Sequence, residues 1–193
     1  MTLTLDDLRP IFAKAPPEAL ANLDAIYHDA ARVMSPAGLA IYLEAARGLG
    51  NLGRGHDLVL AWLENMPAVV KECGEDILRD CLEAAMKLAS MTSGEVIALL
   101  FASLPTAARR LGDPELLRGY LQLIHHLSAK AARGLRPMLG QIDELLSKLT
   151  LSGLRRWANF GAEAYRTDLQ NLTRYFALES PDARKVLQQE RRG

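Results

Sequence analysis

The chain has 193 residues, 49% of them apolar and only 6% aromatic, and its 23 Lys and Arg balance its 23 Asp and Glu. That length suits one domain or a short solenoid. The balanced charge leaves no electrostatic footprint for nucleic acid or a membrane surface, and no apolar run approaches the ~20 residues of a membrane span.

No basic start leads into an apolar stretch, so the expectation is no signal peptide and a cytoplasmic location. Cys73 and Cys81 stand eight residues apart. That is the spacing of neither a redox pair nor a zinc ligand set, and the two read as buried thiols in a reducing compartment.

Helical periodicity of apolar residues begins near residue 20 and organises the chain into units. The first spans about 20–50, with Ser35-Pro36 opening its second helix as cap and first residue. The run Gly48, Gly50, Gly53, Gly55 reads as the loop that closes it. Gly48-Leu49-Gly50-Asn51-Leu52-Gly53 matches G-x-G-x-x-G. A dinucleotide site needs a strand before that motif, however, and here a helix precedes it.

The second unit, about 57–90, repeats in the third, about 95–131. Moved forward by 38 positions, Leu58, Val59, Leu63 and Met66 land on Val96, Ile97, Phe101 and Leu104, and Pro67 and Gly74 land on Pro105 and Gly112. The second helices repeat at 39: Leu39, Tyr42, Leu43 and Ala46 map onto Leu78, Cys81, Leu82 and Ala85, and onward to Leu117, Tyr120, Leu121 and Ile124. Tyr42, Cys81, Tyr120 and Trp157 therefore belong to one interior seam.

In the third unit a helix is expected over Glu95–Leu111. Its stripe is Val96, Leu100, Leu104, Ala107 and Leu111. Thr92 and Glu95 have the spacing of a capping box, Gly112 supplies the left-handed stop, and Asp113-Pro114 opens the next helix. Pro67 and Pro105, inside their helices, each remove a backbone donor and should bend the helix at the same repeat position.

A fourth unit, about 135–167, follows with an offset of 37, then a short helix near 169–178 and a last one after Ser180-Pro181. The fold expected is all-α, a HEAT-like α-solenoid of about four helical hairpins with a C-terminal capping helix.

Few residues offer chemistry. His125 and His126 are adjacent on a helix and point apart, and His28 and His56 lack a ligand partner at helical spacing, so no metal site is expected. Glu75-Asp76 and Asp143-Glu144 read as capping and solubility groups. No nucleophile elbow or phosphate loop completes itself, and no D-x-S-x-S metal motif occurs, so no cofactor and no catalytic residue is assigned. Arg109-Arg110 and Arg155-Arg156 beside Trp157 read as charged rims or, alternatively, as partner anchors, and Tyr175-Phe176 as part of a capping helix packed on the last repeat or, alternatively, as a surface that docks a downstream domain. The basic tail from Arg184 to Gly193 looks like a helix leading onward.

Leu151 to Trp157, Gly161, Tyr175 to Ser180 and Leu187 to Gly193, with Gly112-Asp113 and Arg133 to Leu139, resemble the helical region that precedes the von Willebrand factor A domain in NorD/CbbO-type proteins. The look is closer to the CbbO branch. The resemblance implies a helical-repeat domain over 1–180, and a terminal helix or linker over 181–193 towards a missing A domain. It implies a non-catalytic adaptor for a MoxR-type AAA+ ATPase of CbbQ kind in Rubisco activation, with Rubisco contacted through the missing domain. The alternatives are nitric oxide reductase activation, as in the NorD branch, or an unrelated protein-binding scaffold. The motifs are packing signatures, and the family's metal site has no counterpart residue here.

Overall fold

Leu- and Ala-rich segments alternate with short stretches of Pro, Gly and Ser, at which most of the described helices begin or end. The computed structural model describes residues 4–13, 15–52 and 56–140, together with Asp143 and Leu146. Two short 3-10 turns, Leu5–Asp7 and Arg9–Phe12, lead into six α-helices. These are α1 (Pro17–Val33), α2 (Pro36–Gly50), α3 (His56–Cys73), α4 (Ile77–Ala89), α5 (Gly94–Leu111) and α6 (Pro114–Gly140). No strand occurs among the described residues, and no described helix is long and apolar enough to cross a membrane.

The helix ends follow local chemistry. The Ser35 hydroxyl accepts from Gly38 N–H at 3.1 Å, with Pro36 as the first helical residue of α2. Asp113 does the same for α6, accepting from Glu115 N–H at 2.8 Å. Gly112 ends α5 at φ 61°, and Gly74 follows α3 at φ 82°, both in the left-handed region that a side chain disfavours.

Helices pair along two rows. α1 packs on α3 and α3 on α5, the most extensive pairing among the described helices, while α2 packs on α4 and α4 on α6. The rows close on one core. Tyr42, Cys81 and Tyr120 are all fully buried in it, as are Val59, Trp62, Leu100 and Leu104. Trp62 is the hub: its Nε1–H donates to the Tyr42 carbonyl at 3.0 Å, and its ring lies 6.4 Å from Tyr42 and 5.2 Å, edge to face, from Phe101.

Pro67 and Pro105 each sit inside an unbroken helix. Pro67 cannot donate to the carbonyl of Leu63 four residues back. The Tyr42 hydroxyl takes that carbonyl instead, at 2.7 Å. In the next unit Ser103 donates to the Leu100 carbonyl at 2.7 Å, which leaves the Tyr120 hydroxyl, 3.3 Å away, to donate to Ser103 Oγ. The second-helix tyrosines thus serve buried polar atoms of the first helices.

Three expectations need correction. The break expected between units near 131–135 is absent, and α6 runs unbroken from Pro114 to Gly140. The helix-forming run Ser128 to Leu135 carries it through a single Gly134, whose cost of ~1 kcal/mol does not end a helix. Thr92 does not build a capping box on α5. Its hydroxyl donates back to the Leu88 carbonyl at 3.0 Å and finishes α4, while Ser93 stands at the cap position. Gly48 and Gly50 lie inside the last turns of α2, so the glycine run starts in helix rather than loop. The fourth unit beyond Gly140, the helices near 169–178 and after Ser180, and Trp157 lie outside the described residues.

Glu75, read as a capping or solubility group for its own helix, reaches across to another. Its carboxylate accepts from both the backbone N–H and the hydroxyl of Ser35, the latter at 2.6 Å. Gly38 packs so closely on that carboxylate that a Cβ there would collide with it. The two bonds hold the Glu75 carboxyl below the usual carboxylate range, despite a small opposing effect of desolvation. A depressed folded-state value means that the bond's contribution is present above the unfolded value, about pH 4.3, and is lost as pH falls through the folded one. The melting-temperature difference between wild type and Glu75→Gln is therefore expected to shrink as pH drops below about 4.3. A difference that persists unchanged at pH 2–3 would contradict it.

Candidate functional site: a polar groove between α4 and α6

Two stripes of identical spacing face each other across the second-helix row. Asp80, Glu83, Ala84 and Lys87 on α4, and Arg118, Leu121, Gln122 and His125 on α6, line a groove of about 120 Å³. Each set follows the i, i+3, i+4, i+7 pattern of a single helix face. That volume is well below the ~300 Å³ at which small-molecule sites begin. It suits one or two inserted side chains better than a substrate.

Charges in the groove are matched on site. Arg118 Nε donates to Asp80 Oδ2 at 2.7 Å and so ties α6 to α4 across the floor. Lys87 Nζ donates to Glu83 Oε1 at 2.5 Å along α4. Ala84 and Leu121 supply an apolar floor, both buried, and His125 is half-buried at the end of the stripe. The arrangement offers paired donors and acceptors in fixed places beside a small apolar spot. It brings together no nucleophile with a base, and among the described residues no group of three His, Cys, Asp or Glu could hold a metal ion.

The cysteines lie elsewhere and are both buried. Burial pushes both thiols up, away from the thiolate that redox or nucleophilic chemistry uses.

Of the partner-anchor residues expected from sequence, Arg109 and Arg110 are exposed on the last turn of α5. Arg110 pairs with Asp143 at 2.8 Å, the behaviour of a charged rim that ties a helix end to the following segment. Arg155, Arg156, Tyr175 and Phe176 lie outside the described residues. Neither Arg109 nor Arg110 lines the groove.

The groove had a signal in the sequence. Asp80, Glu83, Ala84 and Lys87, moved forward by 38, give Arg118, Leu121, Gln122 and His125. The apolar seam repeats at 39, so the groove pairs residues one step out of that register. The reason is geometric: a groove is bounded by opposite flanks of neighbouring helices, and one residue turns a helix by about 100°.

The described residues thus define an all-α protein of paired helices carrying a polar inter-helical groove. Comparison with protein-family models, with curated proteins and with solved structures finds no match to the chain.

Proposed function

We propose that the chain is a non-catalytic HEAT-like scaffold, the adaptor domain through which a MoxR-type AAA+ ATPase of CbbQ kind is coupled to Rubisco activation. The observation that carries the scaffold reading is the α4–α6 groove, in which repeat-related helix faces present prearranged charges to a macromolecular partner. The occupant is a polar side chain or two from the ATPase surface, given the groove's size and its alternating donors and acceptors. The choice of ATPase and of Rubisco as target comes from the sequence resemblance to NorD/CbbO-type proteins.

The test is co-purification of the 193-residue chain with the ATPase. Retention is expected, weakened by Lys87→Glu with Gln122→Glu in the groove, and weakened independently by Arg155→Glu with Arg156→Glu, with circular dichroism unchanged in each. Failure of the wild-type chain to retain the ATPase would overturn the adaptor reading. Retention by a chain whose ATPase then reactivates nitric oxide reductase and not Rubisco would move the reading to the NorD branch.

A further inference from the structure

Outside the core, two side-chain contacts join successive hairpins, and each spans about one repeat period. Ser35, in the turn between α1 and α2, is held by Glu75, in the turn between α3 and α4, 40 residues on. Asp80 on α4 is held by Arg118 on α6, 38 residues on. Each junction has one such surface contact, and at the first of them the buried Tyr42–Leu63 and Trp62–Tyr42 bonds join α2 to α3 as well.

We propose that these contacts are angle-setting latches, which choose the tilt between neighbouring hairpins, and that the Arg118–Asp80 latch thereby sets the width of the α4–α6 groove. Between α4 and α6 the core alone leaves that tilt underdetermined. Its facing surfaces are Leu and Ala ridges such as Leu78, Ala85 and Leu117, and ridge-into-groove packing tolerates a spread of ±15–20° about a preferred crossing angle. A directional bond selects within that spread. Arg118 to Asp80 uses one guanidinium donor on one carboxylate oxygen, and the Glu75 carboxylate engages Ser35 with both of its oxygens.

Magnitudes separate this role from a stabilising one. A partly exposed ion pair contributes about 0–1 kcal/mol. That is small against a folding stability of ~5–15 kcal/mol, yet it is enough for a several-fold bias among packings of nearly equal energy. Removing a latch should therefore lower the melting temperature only slightly and alter shape. The two latches should also differ in salt response. The Arg118–Asp80 ion pair is screened at high ionic strength, whereas the Ser35–Glu75 bonds have an uncharged donor.

The experiment is a spin-label distance measurement on the full chain, with Ala31→Cys on α1 and Ala102→Cys on α5, both exposed sites. Cys73 and Cys81 are buried and stay unlabelled. A single narrow distribution is expected for the parent, broadened and displaced by Glu75→Ala and by Arg118→Ala. Raising NaCl to molar strength should reproduce the Arg118→Ala change in the parent and add nothing to it in that variant. Glu75→Gln and Arg118→Gln serve where an alanine variant fails to fold. Unchanged distributions in the variants of both latches would overturn the proposal. So would a fall in melting temperature as large as that of a core truncation, since the contacts would then be stability staples.

Discussion

Trp62→Ala is expected to destabilise the chain by about 3–5 kcal/mol, the range for removing a buried large aromatic. The side chain is 0% exposed and is the largest fully buried one among the described residues. From α3 it reaches both neighbouring hairpins at once: it donates to the Tyr42 carbonyl on α2, stacks on the Tyr42 ring, and meets Phe101 on α5 edge to face. Truncation opens a cavity between rows that cannot collapse without moving α3 against α5, the most extensive pair among the described helices. It also removes the buried hydrogen bond from the indole to the Tyr42 carbonyl. Against a total of ~5–15 kcal/mol, the loss removes a large part of the stability. Chemical denaturation should show the midpoint falling steeply with little change of slope. Trp62→Phe, which keeps most of the packing and loses the N–H, should cost less than half as much. A Trp62→Ala loss below about 1 kcal/mol, the level of an ordinary surface change, would mean that Trp62 is not the hub described.

Much of this architecture is legible in the sequence because the apolar positions repeat. The stripe from Val96 to Ala107 and the seam through Tyr42, Cys81 and Tyr120 follow from helical period plus the 38-to-39 offset, and each of those residues is buried. Gly112 and Asp113 mark an end and a start with little ambiguity, because a left-handed stop and a cap each demand a narrow set of residues. Thr92 was less legible: a hydroxyl three residues before a glutamate can serve the helix behind it as readily as the one ahead. The unbroken α6 was less legible still, since propensity alone does not say whether a lone glycine is a stop.

The groove and the latches were hardest to read. Polar residues on a helix surface carry no burial signal, and Asp80 and Arg118 become partners only once α4 and α6 are placed side by side. Glu75 looks like a local cap until the turn containing Ser35 is found beside it. Tertiary placement of turns is what sequence periodicity leaves out.

The hydroxyl of Tyr42 and the missing N–H of Pro67 are expected to be coupled, and a double-mutant cycle reads the coupling directly. The Leu63 carbonyl loses its helical donor to Pro67, and the Tyr42 hydroxyl replaces it at 2.7 Å inside a fully buried site. Tyr42→Phe leaves packing volume almost intact and strands that carbonyl, which should cost about 1–3 kcal/mol, the penalty for an unsatisfied buried polar group. Pro67→Ala restores an N–H four residues after Leu63, so the carbonyl regains an acceptor's ordinary helical partner. In that background Tyr42→Phe should cost well under 1 kcal/mol, because the hydroxyl no longer has sole charge of the carbonyl. The coupling energy then has the sign of rescue: the double variant is more stable than the sum of the two single changes predicts. Urea unfolding of the four proteins supplies all the numbers. Strict additivity of the two changes would show that the tyrosine does not compensate the proline, and that the recurring proline is accommodated by the helix backbone on its own.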